Sequence, residues 1–209
     1  MFKHGWKYKL LPVYELSAAE LPSAKPAPQP CPTTKEVESI VERLDGIYSD
    51  AIAVLAYTGL RVGELLQLQW GDVLLDKGEL GMLHIRRGGS NGSTKTSRER
   101  FVPIHPRVRP VFDSLPPTDE LVFPSLRDRT LLSKLKDGAR RAGFAGNIKV
   151  HSLRHHFAST CANSRIPYRM SLAWMGHSSS SILDLYYHLH DEDSEAAMKT
   201  VAERPTLRR

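Results

Sequence analysis

Five short stretches of this 209-residue chain gather side chains suited to one kind of chemistry: TGLRVGEL around Arg61, STKTSRER around Lys95, HSLRHHF around His151 and Arg154, WMGHSS around His177, and LYYHL around Tyr186. Cations, imidazoles and a phenol, with no evident carboxylate cluster for magnesium, suit metal-free ester transfer at a DNA phosphate. A tyrosine attacking a phosphodiester must lose a proton at a pKa of about 10, and the transition state gathers charge on the non-bridging oxygens. Guanidinium forks answer that need, because they bind phosphate oxygens bidentately and stay charged; Arg61 and Arg154 are the candidates. A departing alkoxide also needs an acid.

The three histidines of HSLRHHF admit a rival reading as a metal site, since His151 and His155 stand at i, i+4 on one helical face. An arginine between them and the lack of a third carboxylate or thiolate ligand argue against it. No metal or other cofactor is therefore expected. Glu64 stands one turn beyond Arg61, where it can orient an arginine or histidine through a charge-assisted hydrogen bond or serve as an ordinary surface acid.

The elements that must hold these groups can be read from periodicity and punctuation. Pro22, Pro26, Pro28, Pro30 and Pro32 make residues 17 to 33 an extended linker, so the expected division is an arm and linker over 1–32 and a domain over 33–209. Thr33 and Glu36 have capping-box spacing, and Val37, Ile40, Val41 and Leu44 then share one helical face. AIAVLAYTG, residues 51 to 59, is apolar all round and predicts a core helix ended by Gly59, with Arg61 just beyond it. Segments 72 to 76, 81 to 86 and 99 to 104 predict a small three-stranded antiparallel sheet, with GGSNGST, residues 88 to 94, as its loop. Helices follow near 106 to 114, 130 to 142, 152 to 163, 167 to 175, 179 to 187 and 191 to 202. The expected class is mainly α with one small sheet, α+β.

A formal net charge of +6 favours a polyanionic partner. Between Arg86 and Arg154 there are 15 Lys or Arg against 6 Asp or Glu. Arg127, Arg129, Lys134, Lys136, Arg140 and Arg141 form the densest cluster and, with Arg98 and Arg100, are the candidate DNA contacts. From Asp191 to Glu203 five acids face one lysine; this acidic tail helix either docks on a neighbouring protomer or packs in cis. Cys31 and Cys161 suggest neither a disulfide framework nor a zinc site, and no segment has the roughly 18 apolar residues of a membrane span. A soluble, cytoplasmic protein is expected.

In this order and spacing the blocks resemble the tyrosine recombinase family, also called phage integrases, over about residues 33 to 203. TGLRVGEL resembles the family's first arginine box, HSLRHHFAS its HxLRH box, and MGHSSSSILDLYYHL its Gly-His box and tyrosine. The resemblance implies a topoisomerase-IB-like catalytic fold and a site-specific recombinase that forms a 3′-phosphotyrosyl bond. It implies Tyr186, rather than adjacent Tyr187, as nucleophile, and Lys95 as acid for the 5′ oxygen, with Arg98 and Arg100 as rivals. His151 becomes a proton acceptor or phosphate donor, His177 a donor to the scissile phosphate, and His155 a buried supporting residue; His156 has no assigned role. Serines and Ile182 replace a threonine pair often found before the tyrosine.

Double-stranded DNA and further recombinase protomers are the implied partners, tetrameric on DNA and monomeric when free, with no membrane. Family members usually clamp DNA with an N-terminal core-binding domain, and the opening residues here resemble an interdomain segment. The expectation is therefore a truncated chain, or else a small invertase-like member. Two alternative functions stand beside recombination: a catalytically quiet DNA-binding accessory protein, and a type IB-like enzyme that relaxes DNA.

Overall fold

The computed structural model describes residues 31–86, 99–117, 120–176, 183–184 and 187. Helix α1 (Thr34–Val41) starts on the expected capping box: the Thr33 hydroxyl accepts from Glu36 N–H, and Glu36 accepts from Thr33 N–H at 2.7 Å. Val37, Ile40 and Leu44 are buried and Val41 packs beside them, as a 3.6-residue period requires.

Helix α2 (Gly46–Thr58) begins five residues earlier than its apolar run; its first turn mixes Ile47 and Tyr48 with Gly46, Ser49 and Asp50 and is at most partly buried. Residues Ala51 to Thr58 are all buried, so this helix runs through the core. It ends at Gly59, which has φ +66° and whose N–H bonds to Leu55 O. A Cβ at Gly59 would lie 2.3 Å from the Phe157 ring, so glycine is required for both backbone and packing. One further turn, α3 (Val62–Leu65), follows at once and was not predicted; four residues are too few to show a periodicity.

The sheet has the expected antiparallel order, β1 (Val73–Leu74), β2 (Met82–Ile85) and β3 (Arg100–Pro103). Leu83 faces Val102 and Ile85 faces Arg100 across β2 and β3. β1 is shorter than the predicted 72–76, because Trp70–Asp72 forms a 3₁₀ turn. That turn buries Asp72, which accepts from Arg86 Nε at 2.7 Å and lies 3.3 Å from His84 Nδ1. The segment carrying the predicted loop, with Lys95 and Arg98, lies outside the described residues.

Helices α4 (Arg109–Ser114), α5 (Asp128–Arg141), α6 (Val150–Asn163) and α7 (Tyr168–Met175) complete the bundle, close to the predicted spans. α2 packs against α1, α5 and α6, and α7 lies against both β3 and α6. The predicted helix over 179 to 187 is represented by Leu183, Asp184 and Tyr187, all helical, and the tail helix over 191 to 202 lies outside the described residues. Leu183 is fully buried with Phe157, Ala158, Cys161 and Met175 in a second small core.

Candidate active site

Glu64 is the hub on which the site is assembled. It stands in the third position of α3, so its Oε2 reaches back to accept from the Arg61 N–H at 2.8 Å, while Oε1 accepts from Arg61 Nη1 at 3.1 Å. The same two oxygens accept a second fork from β3: Arg100 Nη1 donates to Oε1 at 3.0 Å and Nη2 to Oε2 at 2.8 Å. Glu64 thus holds Arg61 and Arg100 on one carboxylate. A carboxylate has about four lone-pair positions, and these four donors match them.

Arg154 enters from α6, where residues 152 to 158 are buried without interruption. Its side chain donates through Nη1 to Gly59 O and through Nη2 to Met175 O. These carbonyls end α2 and α7, where helix carbonyls lack intrahelical partners and the dipole favours a cation. One buried arginine therefore joins the TGLR, HxLRH and MGH blocks. Its Nε is buried with no hydrogen-bond partner among the described residues. Burial, then the nearby Arg61 charge, pulls its guanidinium down to about 9 against the upward pull of Glu64, so it remains a cation at neutral pH.

His151 is exposed on the first turn of α6, its ring 5.2 Å from that of buried His155 and nearly perpendicular to it. Partial desolvation of the ring, followed by the positive neighbours His155, Arg154 and Arg61, pushes its imidazole down to about 4. His151 is consequently neutral at pH 7. Burial, then Arg154, also lowers His155. His156, to which no role was assigned, packs edge-on against Tyr57 and its Nδ1 lies 2.9 Å from Pro32 O, tying α6 to the start of the domain. Among the described residues no group of three or more His, Cys, Asp or Glu is placed to hold a metal ion.

The structure thus brings Arg61, Glu64, His151, His155 and Arg154 together from blocks about 90 residues apart in sequence. Lys95, Arg98, His177 and Tyr186 lie outside the described residues. Of the tyrosine pair, Tyr187 is described: its hydroxyl donates to Ile166 O and lies 2.7 Å from Ser171 Oγ, and its ring packs edge-on at 5.2 Å on Tyr168. Burial lifts the Tyr187 phenol above its ordinary value.

One expected DNA contact is corrected. Arg100 is 8% exposed and turned inward, with Nε donating to Trp174 O at 2.7 Å in addition to its Glu64 fork. The signal was present in the sequence: alternation along RFVPI puts Arg100, Val102 and Ile104 on one face, and the two apolar residues are buried. The other basic candidates, Arg127, Arg129, Lys134, Lys136, Arg140 and Arg141, are exposed on and beside α5, opposite its buried Leu131, Leu135, Gly138 and Ala139. Arg140 and Arg141 share Asp137 at 2.7 and 3.1 Å, which draws its carboxyl below the usual range.

A helical domain with a three-stranded sheet, in which Arg61 and Arg100 meet at Glu64, has the catalytic fold of tyrosine recombinases. The catalytic domain of bacteriophage HP1 integrase superposes with a TM-score of 0.63 at 20% identity, covering 82% of this chain and 95% of that one. A XerH site-specific recombinase bound to palindromic difH substrate in a post-cleavage complex gives 0.65 at 20% identity, over 90% and 58% of the two chains. The chain belongs to the phage integrase family, whose model matches residues 33–193. Among curated relatives, the tyrosine recombinase XerA of Pyrococcus furiosus is 31% identical over 74% of this chain and 55% of its own length. XerC of Xanthomonas axonopodis pv. citri is 28% identical over 89% and 63%. The chain thus spans between about half and two thirds of the length of these relatives. No described helix is long and apolar enough to cross a membrane.

Proposed function

We propose that this chain is the catalytic part of a site-specific recombinase that cuts and rejoins duplex DNA through a 3′-phosphotyrosyl bond. The observation that carries the reading is that Arg61 and Arg100 both bond Glu64 beside Arg154, whose buried Nε–H has no acceptor among the described residues, with the neutral His151 imidazole near enough to feel the charges of Arg154 and Arg61. A buried charged donor left unpaired is costly, and a phosphate oxygen would satisfy it. Three cations against one carboxylate leave a net positive centre where the phosphorane gathers negative charge.

In this reading the Tyr186 oxygen attacks phosphorus and its proton passes to neutral His151. The P–O5′ bond breaks as Lys95 protonates the departing 5′ oxygen, and His177 donates to a non-bridging oxygen. A 5′ hydroxyl of another strand then attacks phosphorus and gives its proton to Lys95, the bond from phosphorus to the Tyr186 oxygen breaks, and His151 returns its proton to Tyr186. One phosphate ester replaces another, so no external energy source is needed. Tyr187 is unsuited as nucleophile, because its hydroxyl is held by Ile166 and Ser171.

Duplex DNA as substrate is supported by the XerH complex and by the exposed basic residues of α5. A tetramer on DNA in the cytoplasm completes the proposal. The domain division at residues 32 and 33 is supported by the capping box that opens α1.

The test is covalent capture: the protein is incubated with nicked duplexes of randomised sequence, then denatured and separated by size. A protein–DNA adduct lost in Tyr186→Phe and kept in Tyr187→Phe is expected. An adduct that survives Tyr186→Phe would sink the reading, and sequencing captured DNA identifies the preferred site.

A further inference from the structure

We infer that Arg100 is a positioning residue for strand cleavage: it fixes Glu64, and through it Arg61, against the end of α7. The proposal rests on the cleavage reading above. A positively charged residue beside a DNA-binding hairpin would ordinarily be read as a phosphate contact, but all three side-chain nitrogens of Arg100 are engaged inside the protein. Nη1 and Nη2 meet both oxygens of Glu64, and Nε meets Trp174 O. Its side chain is 6% exposed and that of Glu64 is 7%, whereas Arg61 remains 21% exposed. Arg100 therefore stands behind the site and Arg61 in front of it.

The geometry gives this placement a purpose. A side-on fork fixes the plane of a carboxylate, whereas a single donor would leave it free to turn. Once Arg100 holds both oxygens, Glu64 offers Arg61 a carboxylate of fixed orientation, which receives both the Arg61 backbone N–H and its Nη1. The Nε bond carries the same rigidity to the last turn of α7, immediately before the segment with His177. Gly176 completes the fit: its φ is +67°, and a Cβ there would lie 2.8 Å from Arg100 Nη1. The glycine of the MGH block is therefore shaped to admit the guanidinium of the hairpin arginine. Three blocks scattered in sequence, TGLRVGEL, STKTSRER and WMGHSS, meet at this one side chain.

The test compares full-length wild type, Arg100→Lys and Arg100→Gln in two assays. Affinity for a fixed 40-base-pair duplex is measured against salt, and single-turnover adduct formation is measured at saturating DNA on the captured site, per folded protein. Lysine keeps the charge but has one nitrogen, which cannot hold both Glu64 oxygens and Trp174 O. Both variants should keep the wild-type salt slope while adduct formation slows by about ten- to a hundredfold, the scale of misplacing a catalytic group by an ångström. A slope shallower by about 0.9 would instead make Arg100 a phosphate contact and overturn the proposal. So would adduct formation by both variants within twofold of wild type, or a defect that disappears once the folded fraction is accounted for. The salt slope is read from Arg100→Gln, since lysine keeps the charge; if Arg100→Gln does not fold, Arg100→Lys decides through the rate of adduct formation. Wild-type protein that forms no adduct would refute the cleavage reading itself, whereas equal rates in wild type and variants refute only the role of Arg100.

Discussion

TGLRVGEL contains two glycines whose replacement by alanine should have opposite effects. Gly59 has φ +66° and its added Cβ would meet the Phe157 ring at 2.3 Å, well inside contact distance. Left-handed backbone costs a non-glycine residue about 1–2 kcal/mol. Overpacking against a buried ring adds about 1–3 kcal/mol. Gly59→Ala should thus destabilise by about 2–5 kcal/mol, the sum of those two terms. Gly63 lies within α3 with nothing inside 4 Å of its added Cβ and no positive φ. Gly63→Ala should therefore be neutral or stabilise by up to about 1 kcal/mol, since alanine is the better helix former. Urea unfolding at matched slopes measures both changes. Gly59→Ala should also slow adduct formation, because Gly59 O is a partner of Arg154. A Gly59→Ala midpoint equal to wild type, or a Gly63→Ala loss as large as that of Gly59→Ala, would refute the assignment of a backbone requirement to the first glycine alone.

Two further outcomes are expected. Because His151 is depressed from 6.5 to about 4, its neutral form is favoured in the folded state, and its contribution to stability is full above pH 6.5 and lost as pH falls towards 4. Thermal melts should accordingly show a smaller loss between pH 6.5 and 4 in His151→Gln than in wild type, and equal losses would contradict the shift. Tyr187→Phe removes the hydrogen bonds to Ile166 O and Ser171 Oγ and should cost about 1–2 kcal/mol in urea unfolding. A cost under 0.5 kcal/mol would mean that water replaces those partners, against the usual penalty for an unpaired buried group.

Much of the scaffold was legible because it is written in local patterns. Thr33 with Glu36 announced α1, Gly59 announced the end of α2, and alternation around residues 81 to 86 and 99 to 104 announced the hairpin. The start of α2 at Gly46 and the turn of α3 were not legible, since the first opens on a glycine with mixed apolar and polar residues and the second is only four residues long. Charge was the least dependable guide. Arg127 and Arg100 look alike as basic residues in a basic stretch, yet one is exposed beside α5 and the other is buried against Glu64.

Residue type and spacing alone determined the family, the class of fold and the candidate chemistry, because those follow from what a side chain can do and from the short-range periods of helix and strand. Only the tertiary structure decided which cation faces outward, which carbonyls Arg154 joins and why Gly176 must be glycine. Those answers depend on contacts between residues up to 95 positions apart, the separation of Gly59 from Arg154, and on the loss of water around them. Partial desolvation and the Arg61 charge from 90 positions away help hold His151 neutral, and the Glu64 carboxylate turned Arg100 inward; neither influence can be read from the residue's neighbours in sequence.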